Sequence, residues 1–249
     1  MSSRTFLRVA ATIAVVASVA LAATGCTAEE AAAPTALPTP IPSMAQPIPS
    51  GDGTLLIGVV VPLSGADSAI GAPSLAGAEL AARDIQQAGG VNGGPVRLVH
   101  ADAGDAGAAT AAASVSDLDA RGVDAFVGSN AQAVLPALAE AAAGTGVALV
   151  GATGDPVSAE DAFTERLKTS DPTLTDARYG VESYDAVVMI ALAAALAGDD
   201  GRTSVAQFLP AVTSGAVECR SYSACLDVLT TRSDIRYTGV TGTLSTAVA

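Results

Sequence analysis

Residues 55–65 read Leu-Leu-Ile-Gly-Val-Val-Val-Pro-Leu-Ser-Gly, and residues 89–99 read Gly-Gly-Val-Asn-Gly-Gly-Pro-Val-Arg-Leu-Val. A short apolar run closed by Pro-Leu-Ser-Gly has the length and composition of a buried strand. The chain after it predicts a helix that starts at Ala72–Pro73, where the fixed φ and missing N–H of proline are tolerated. Leu75, Ala78, Ala82 and Ile85 recur at helical spacing and predict its inward face. Gly89-Gly90 end the helix, and Gly93-Gly94-Pro95 turn the chain into a second strand, Val96–Val99. The whole is a βαβ unit, and its strand-to-helix turn is the position at which open α/β sheets hold ligands.

The pattern repeats downstream. Ala101–Asp105 reads as a loop and Ala106–Ala120 as a helix with Val115 and Leu118 inward. Val123–Gly128 is a third strand, and Ser129-Asn130 offer capping oxygens to a helix ending near Ala143. Pro136 fits only the first turn of that helix, which places its start at Gln132–Leu135. Val147–Val150 is a fourth strand, followed by the loop Gly151–Asp155. Serial βα units predict a three-layer α/β/α sandwich with a mostly parallel sheet. Tyr184–Ala197 reads as a helix apolar nearly all round, hence buried on most sides.

The first 25 residues are set apart from this domain. Arg4 and Arg8 precede the uncharged run Val9–Ala23, shorter than the roughly 20 residues a spanning helix needs, so the segment reads as an export signal. Ala23-Thr24-Gly25-Cys26 resembles the end of a bacterial lipoprotein signal, with Ala where Leu is usual. The resemblance implies lipidation of Cys26; an ordinary cleaved signal peptide is the alternative. Residues 26–52, with Pro34, Pro38, Pro40, Pro42, Pro47 and Pro49, form a semi-extended tether. Residues 53–249 remain for one α/β lobe. The chain carries 12 basic and 25 acidic residues, a net −13, which becomes −15 once Arg4 and Arg8 leave with the signal. Such a surface repels nucleic acid and anionic headgroups.

The Pro-Leu-Ser-Gly turn, Gly71 before the helix and the Gly-Gly-Val-Asn-Gly turn together resemble the leucine/isoleucine/valine-binding family of ABC-importer solute receptors, the type I periplasmic-binding-protein fold. Ala162–Leu167, Tyr184–Val188 and the Gly-rich Tyr237–Leu244, which reads as a late hairpin, resemble later segments of the same family. The second lobe of such receptors has no counterpart between them, and the expectation is a single lobe. The resemblance places a ligand carboxylate near Gln132, a ligand ammonium near Asp155 and a backbone-carbonyl contact at Thr153, with Ser64 of the first turn lining the cleft. Two of these positions change chemistry relative to the family pattern: Gln132 stands where Ser is common and Asp155 where Thr is common. Ile70 replaces an aromatic that would cover the ligand. Asp155 before Pro156 reads equally as a helix N-cap, and Ser64 equally as a turn-stabilising hydroxyl.

Cys219 and Cys225 form an isolated close pair, a disulfide in an exported protein or else two free thiols. His100 ends the second strand with no second ligand near it, so no metal and no cofactor is expected. Asp102 and Asp105 match acidic positions of the family loop, but paired carboxylates alone do not establish acid/base work. No nucleophile or phosphate-binding motif appears, and an enzyme is not expected. The expected protein is an exported, lipid-anchored receptor lobe on the outer face of the cell membrane, binding an amino acid or amide weakly. An ABC permease, a second-lobe chain or a second copy are its candidate partners. The alternatives are an envelope interaction protein and a degenerate receptor without ligand.

Overall fold

Leu55–Val61 (β1) lies between Val96–Asp102 (β2) and Ala125–Val127 (β3), parallel to both, with Val59 opposite His100 on one side and Val127 on the other. Ala148–Ala152 (β4) continues the parallel ladder beside β3, and Thr246–Val248 (β7) closes it antiparallel to β4, giving the order β2-β1-β3-β4-β7. The computed structural model describes residues 48–105, 108–128, 134–152, 154–232, 234–244 and 246–248. Alternation along the strands loads two faces. Ile57, Val59, Val61, Ala125, Val127 and Val150 enter one apolar cluster, and Val60, Phe126 and Leu149 enter the other.

The helices Ala108–Ala120 (α2) and Leu135–Thr145 (α3) cover the second face, with Val115, Leu118 and Leu138 buried there. Ser68–Gln87 (α1) and Gly180–Ala197 (α5) cover the first. Asp161–Leu167 (α4), Arg202–Val212 (α6) and Tyr222–Leu229 (α7) pack around them. A separate two-stranded parallel sheet joins Val217–Cys219 (β5) to Ile235–Tyr237 (β6). The α/β/α layering and mostly parallel sheet agree with the sequence reading.

Several boundaries move for local reasons. α1 begins at Ser68, because the Ser68 N–H reaches the Gly65 carbonyl and the Ile70 N–H reaches Asp67. Pro73 therefore sits in the second turn. The buried stripe of α1 runs through Ser74, Gly77, Ala78, Ala81 and Ile85, with Leu75 and Ala82 at its margin. The cause is a second neighbour: α1 meets α5 as well as the sheet, and a Cβ on Gly77 would lie 2.0 Å from the Gly180 carbonyl oxygen. β2 runs to Asp102, so His100 lies inside the strand, exposed, rather than at its end.

Tyr237–Leu244 is not a hairpin. β6 and β7 flank it in different sheets, and Gly239 and Gly242, both at positive φ, steer the chain between them. α5 starts at Gly180 and is the one described helix long and apolar enough to cross a membrane, but it is 89% buried and serves as the central core helix. Residues 50–52, assigned by sequence to the tether, and Gly53 are fastened to the α5–α6 connection. The backbone N–H groups of Ser50 and Gly51 donate to Asp199, and that of Gly53 donates to Asp200. Cys219 and Cys225 are joined by a disulfide that ties β5 to α7.

Candidate functional site

Parallel strands deliver their following loops to one edge of the sheet, about 4.8 Å apart per strand. Register sets Val59 beside Val127 and Val127 beside Val150, so the turns after β1, β3 and β4 emerge together. Ser64 and Asp155 both lie at this edge and are exposed. Gln132 and Thr153 belong to the same edge by sequence but lie outside the described residues. Cys26 lies outside them as well.

The turn after β1 is held from the neighbouring strand. Asp102 Oδ1 accepts the backbone N–H groups of Leu63, Ser64 and Gly104 at 2.8, 3.2 and 2.8 Å. Its Oδ2 accepts the Ser64 hydroxyl. Burial works to raise the Asp102 pKa, but these hydrogen bonds outweigh it and hold the carboxyl below the usual carboxylate range. Gly71 completes the turn: a Cβ there would lie 1.7 Å from the Pro62 carbonyl oxygen, so only glycine lets α1 approach the end of β1 this closely. Ile70 packs on the second apolar cluster instead of covering the edge. Leu63 stands 40% exposed, an apolar contact at the mouth of the turn.

These contacts redistribute the roles read from sequence. Ser64 is tied to Asp102 as a turn-stabilising hydroxyl. Asp155 is no N-cap, because α4 begins six residues later behind Glu160. Asp102, which sequence reading left without a role, organises the turn; its signal was the acidic residue following an apolar strand. Among the described residues no group of three His, Cys, Asp or Glu side chains is placed to hold a metal ion.

A groove of about 860 Å³ opens at the other end of the sheet, between Thr54, Leu56, Arg97, Arg121, Asp124 and Arg202. Parallel βα units place helix C-termini at that end, which disfavour a carboxylate. Two of its three arginines are already paired, Arg121 with Asp117 and Arg202 with Asp119, each at 2.8 Å. The ligand argument therefore stays with the edge that carries Ser64.

Residues 54–164 match the family model described as periplasmic binding protein. Among solved structures, the branched-chain amino acid transporter substrate binding protein LivJ from Streptococcus pneumoniae, determined with isoleucine, is 30% identical. The match covers 45% of this chain and 31% of that one, with a TM-score of 0.38. The leucine binding protein LivK from Thermotoga maritima is 28% identical over 39% of this chain and 27% of that one, with a TM-score of 0.34. A Silicibacter pomeroyi protein assigned to a branched-chain amino acid ABC transporter is 15% identical, over 64% of this chain and 84% of that one, with a TM-score of 0.50. The chain thus spans about a third of the length of the first receptors it matches. No curated protein sequence matches it. Residues 54–164 carry the periplasmic-binding-protein pattern, and the mostly parallel α/β sheet built on them has the fold of the type I receptors.

Proposed function

We propose that the chain is an exported solute-binding protein of the branched-chain amino-acid receptor type, reduced to one lobe. Residues 1–25 act as its signal peptide, and lipid on Cys26 with the 26–52 tether anchors it to the outer face of the cell membrane. The observation that carries the reading is the family match over residues 54–164, which takes in β1 to β4 and the edge where their loops converge. Gln132, Thr153 and Asp155 are its proposed ligand contacts, with Asp155 pairing with an ammonium and Gln132 donating to a carboxylate, while Ser64, held by Asp102, lines the cleft. The ligand is an amino acid or amide, held without cofactor or metal. An ABC permease, a separate second-lobe chain or a second copy of this chain is the partner that completes the site.

One lobe leaves a ligand half in water, whereas a closed pocket covers most of its surface. Affinity for free leucine, isoleucine or valine is then about millimolar, roughly 4 kcal/mol. The test is a titration of the purified protein with these amino acids to about 10 mM, followed by amide chemical shifts. Saturable shifts at Asp155 and its neighbours in the loop after β4 support the receptor reading; their absence removes it. Mass spectrometry of the mature N-terminus tests the lipid, and Cys26→Ser then moves the protein to the soluble fraction. A second reading, an envelope interaction protein without a solute, is favoured by Asp102, whose carboxylate already fills the turn amides.

A further inference from the structure

The core helix α5 carries two carboxyl groups, one turn apart, that are each 1% exposed: Glu182 and Asp185. Each grips a connecting segment. Glu182 Oε1 accepts the Val157 N–H at 2.6 Å, ahead of α4. Asp185 Oδ1 accepts the Tyr237 hydroxyl and, at 3.0 Å, the Val240 N–H, on the connection between β6 and β7. Asp185 Oδ2 is buried without a hydrogen-bond partner. It faces Gly239, where a Cβ would lie 2.8 Å from Oδ2 and 3.1 Å from the Thr243 carbonyl oxygen.

Among the described residues the charged groups around Asp185 offer it no cation: Arg220, which borders Gly242 on the clamped connection, and Arg236 of β6 both go to Glu218. β6 presents Tyr237, and α5 itself presents Glu182. The guanidinium of Arg166 in α4 goes to Asp84 of α1, which also accepts the Tyr184 hydroxyl, and Arg202 of α6 goes to Asp119. An ionised carboxylate buried beside a second carboxyl, with no counter-charge, is strongly disfavoured. A proton resolves both problems, because it removes the charge and gives Oδ2 a hydrogen to donate, with the Thr243 carbonyl bordering the same spot.

We propose that Asp185 is a pH-sensitive latch: protonated, it clamps residues 237–244 onto α5 and keeps β7 seated on β4; ionised, with its proton released to solvent, it loosens both. Burial pushes this carboxyl up to about 7; the hydrogen bonds from Tyr237 and Val240 oppose the shift, and Glu182 adds to it. β7 is only three residues long, facing Val150, Gly151 and Ala152, so its seat depends on the connection that Asp185 holds. Loosening it bares the edge of β4 beside the loop carrying Asp155. The inference is independent of solute binding.

Hydrogen exchange of the purified protein, corrected for the intrinsic pH dependence of the rates, tests the latch. Protection in 237–244 and 246–248, taken relative to β1, falls up to tenfold per pH unit between pH 5 and 7. Asp185→Asn abolishes that fall. Tyr237→Phe removes a donor to the carboxylate and moves the fall to higher pH, a displacement that lost packing alone does not produce. Protection in the unaltered protein that stays level across this range, or a slope unchanged in Asp185→Asn, overturns the proposal. Should the Asn variant not fold, carboxyl ¹³C titration of the unaltered protein decides. A midpoint near 7 supports the latch, and one in the ordinary carboxylate range refutes it.

Discussion

Replacing Gly77 with alanine sets two effects of opposite sign against each other. On helix propensity alone the change stabilises an interior helical position by about 1 kcal/mol. The structure reverses that expectation. The new methyl carbon would sit 2.0 Å from the Gly180 carbonyl oxygen, against an ordinary carbon contact of about 3.5 Å. Backbone cannot swing aside as a side-chain tip can, so α1 and α5 must separate by about 1 Å or more. A radial gap of that size forfeits about a quarter to a half of the contact energy along the seam, where Ala78, Ala81, Val181 and Tyr184 are buried. Overpacking of this kind costs about 1–3 kcal/mol. The expected outcome is a net loss of about 2 kcal/mol, or about 4–8 °C in Tm for a domain of this size. Gly144→Ala provides the control: it is a helical glycine in α3 with nothing within 4 Å of its added methyl, and it should stabilise by up to about 1 kcal/mol. Urea unfolding followed by circular dichroism measures both. If the two variants move in the same direction, the close α1–α5 approach is wrong.

Two further predictions rest on single contacts. Reducing the Cys219–Cys225 disulfide, or replacing both residues with serine, opens a loop of sequence separation 6 and costs about 2 kcal/mol in the chain-entropy model; equal urea midpoints with and without reductant would contradict this. Asp124 is pushed up to about 6, chiefly by burial, with Asp200 and Asp52 adding to the shift against the Leu56 N–H bond and Arg202. A folded-state pKa above the unfolded value means stability is greatest below about 4 and declines as pH rises to about 6. Discounted for the group's partial exposure, the decline is about 1 kcal/mol, and Asp124→Asn, with its acceptor for Leu56 kept, should flatten that part of the pH–stability curve.

The four parallel strands were legible because each is a short apolar run between Gly- or Pro-rich turns and βα repetition leaves few alternatives to a parallel ladder; the antiparallel β7 was not read from the sequence. What stayed hidden depends on neighbours distant in sequence. The stripe of α1 centred on Gly77 and Ala81 reflects α5, about a hundred residues away. The extension of β2 to Asp102 reflects the partner strand it follows. Glu182 and Asp185 lie in a run whose hydropathy says only "buried"; the polar partners Val157, Tyr237 and Val240 come from two other segments. The glycines of 237–244 read as a hairpin since turn chemistry reports that the chain bends, not which sheet its flanks join. For the candidate site, sequence supplied the edge and the loops, while the internal use of Asp102 needed coordinates.

That internal use bears directly on what the turn can bind. A strand-to-helix turn attracts a carboxylate because its N–H groups lack partners, yet here those of Leu63, Ser64 and Gly104 all converge on Asp102 Oδ1. A ligand carboxylate must displace a tethered one that is already in place, and an intramolecular group competes at an effective concentration far above any free solute. The solute contacts proposed at this edge therefore fall to the loops after β3 and β4. Asp102→Ala separates the two contributions. It leaves the three amides open, so acetate or leucine at millimolar concentration should shift the amide resonances of Leu63, Ser64 and Gly104 in the variant and leave them still in the unaltered protein. It also removes a group held below the usual carboxylate range, whose support is present above about pH 4 and lost as pH falls through its lowered folded-state pKa. The variant should accordingly be less stable at pH 7 and converge with the unaltered protein in strong acid. Amides that respond saturably to leucine while Asp102 is still present would show that the turn accepts a ligand after all, and the self-occupied site would have to be abandoned.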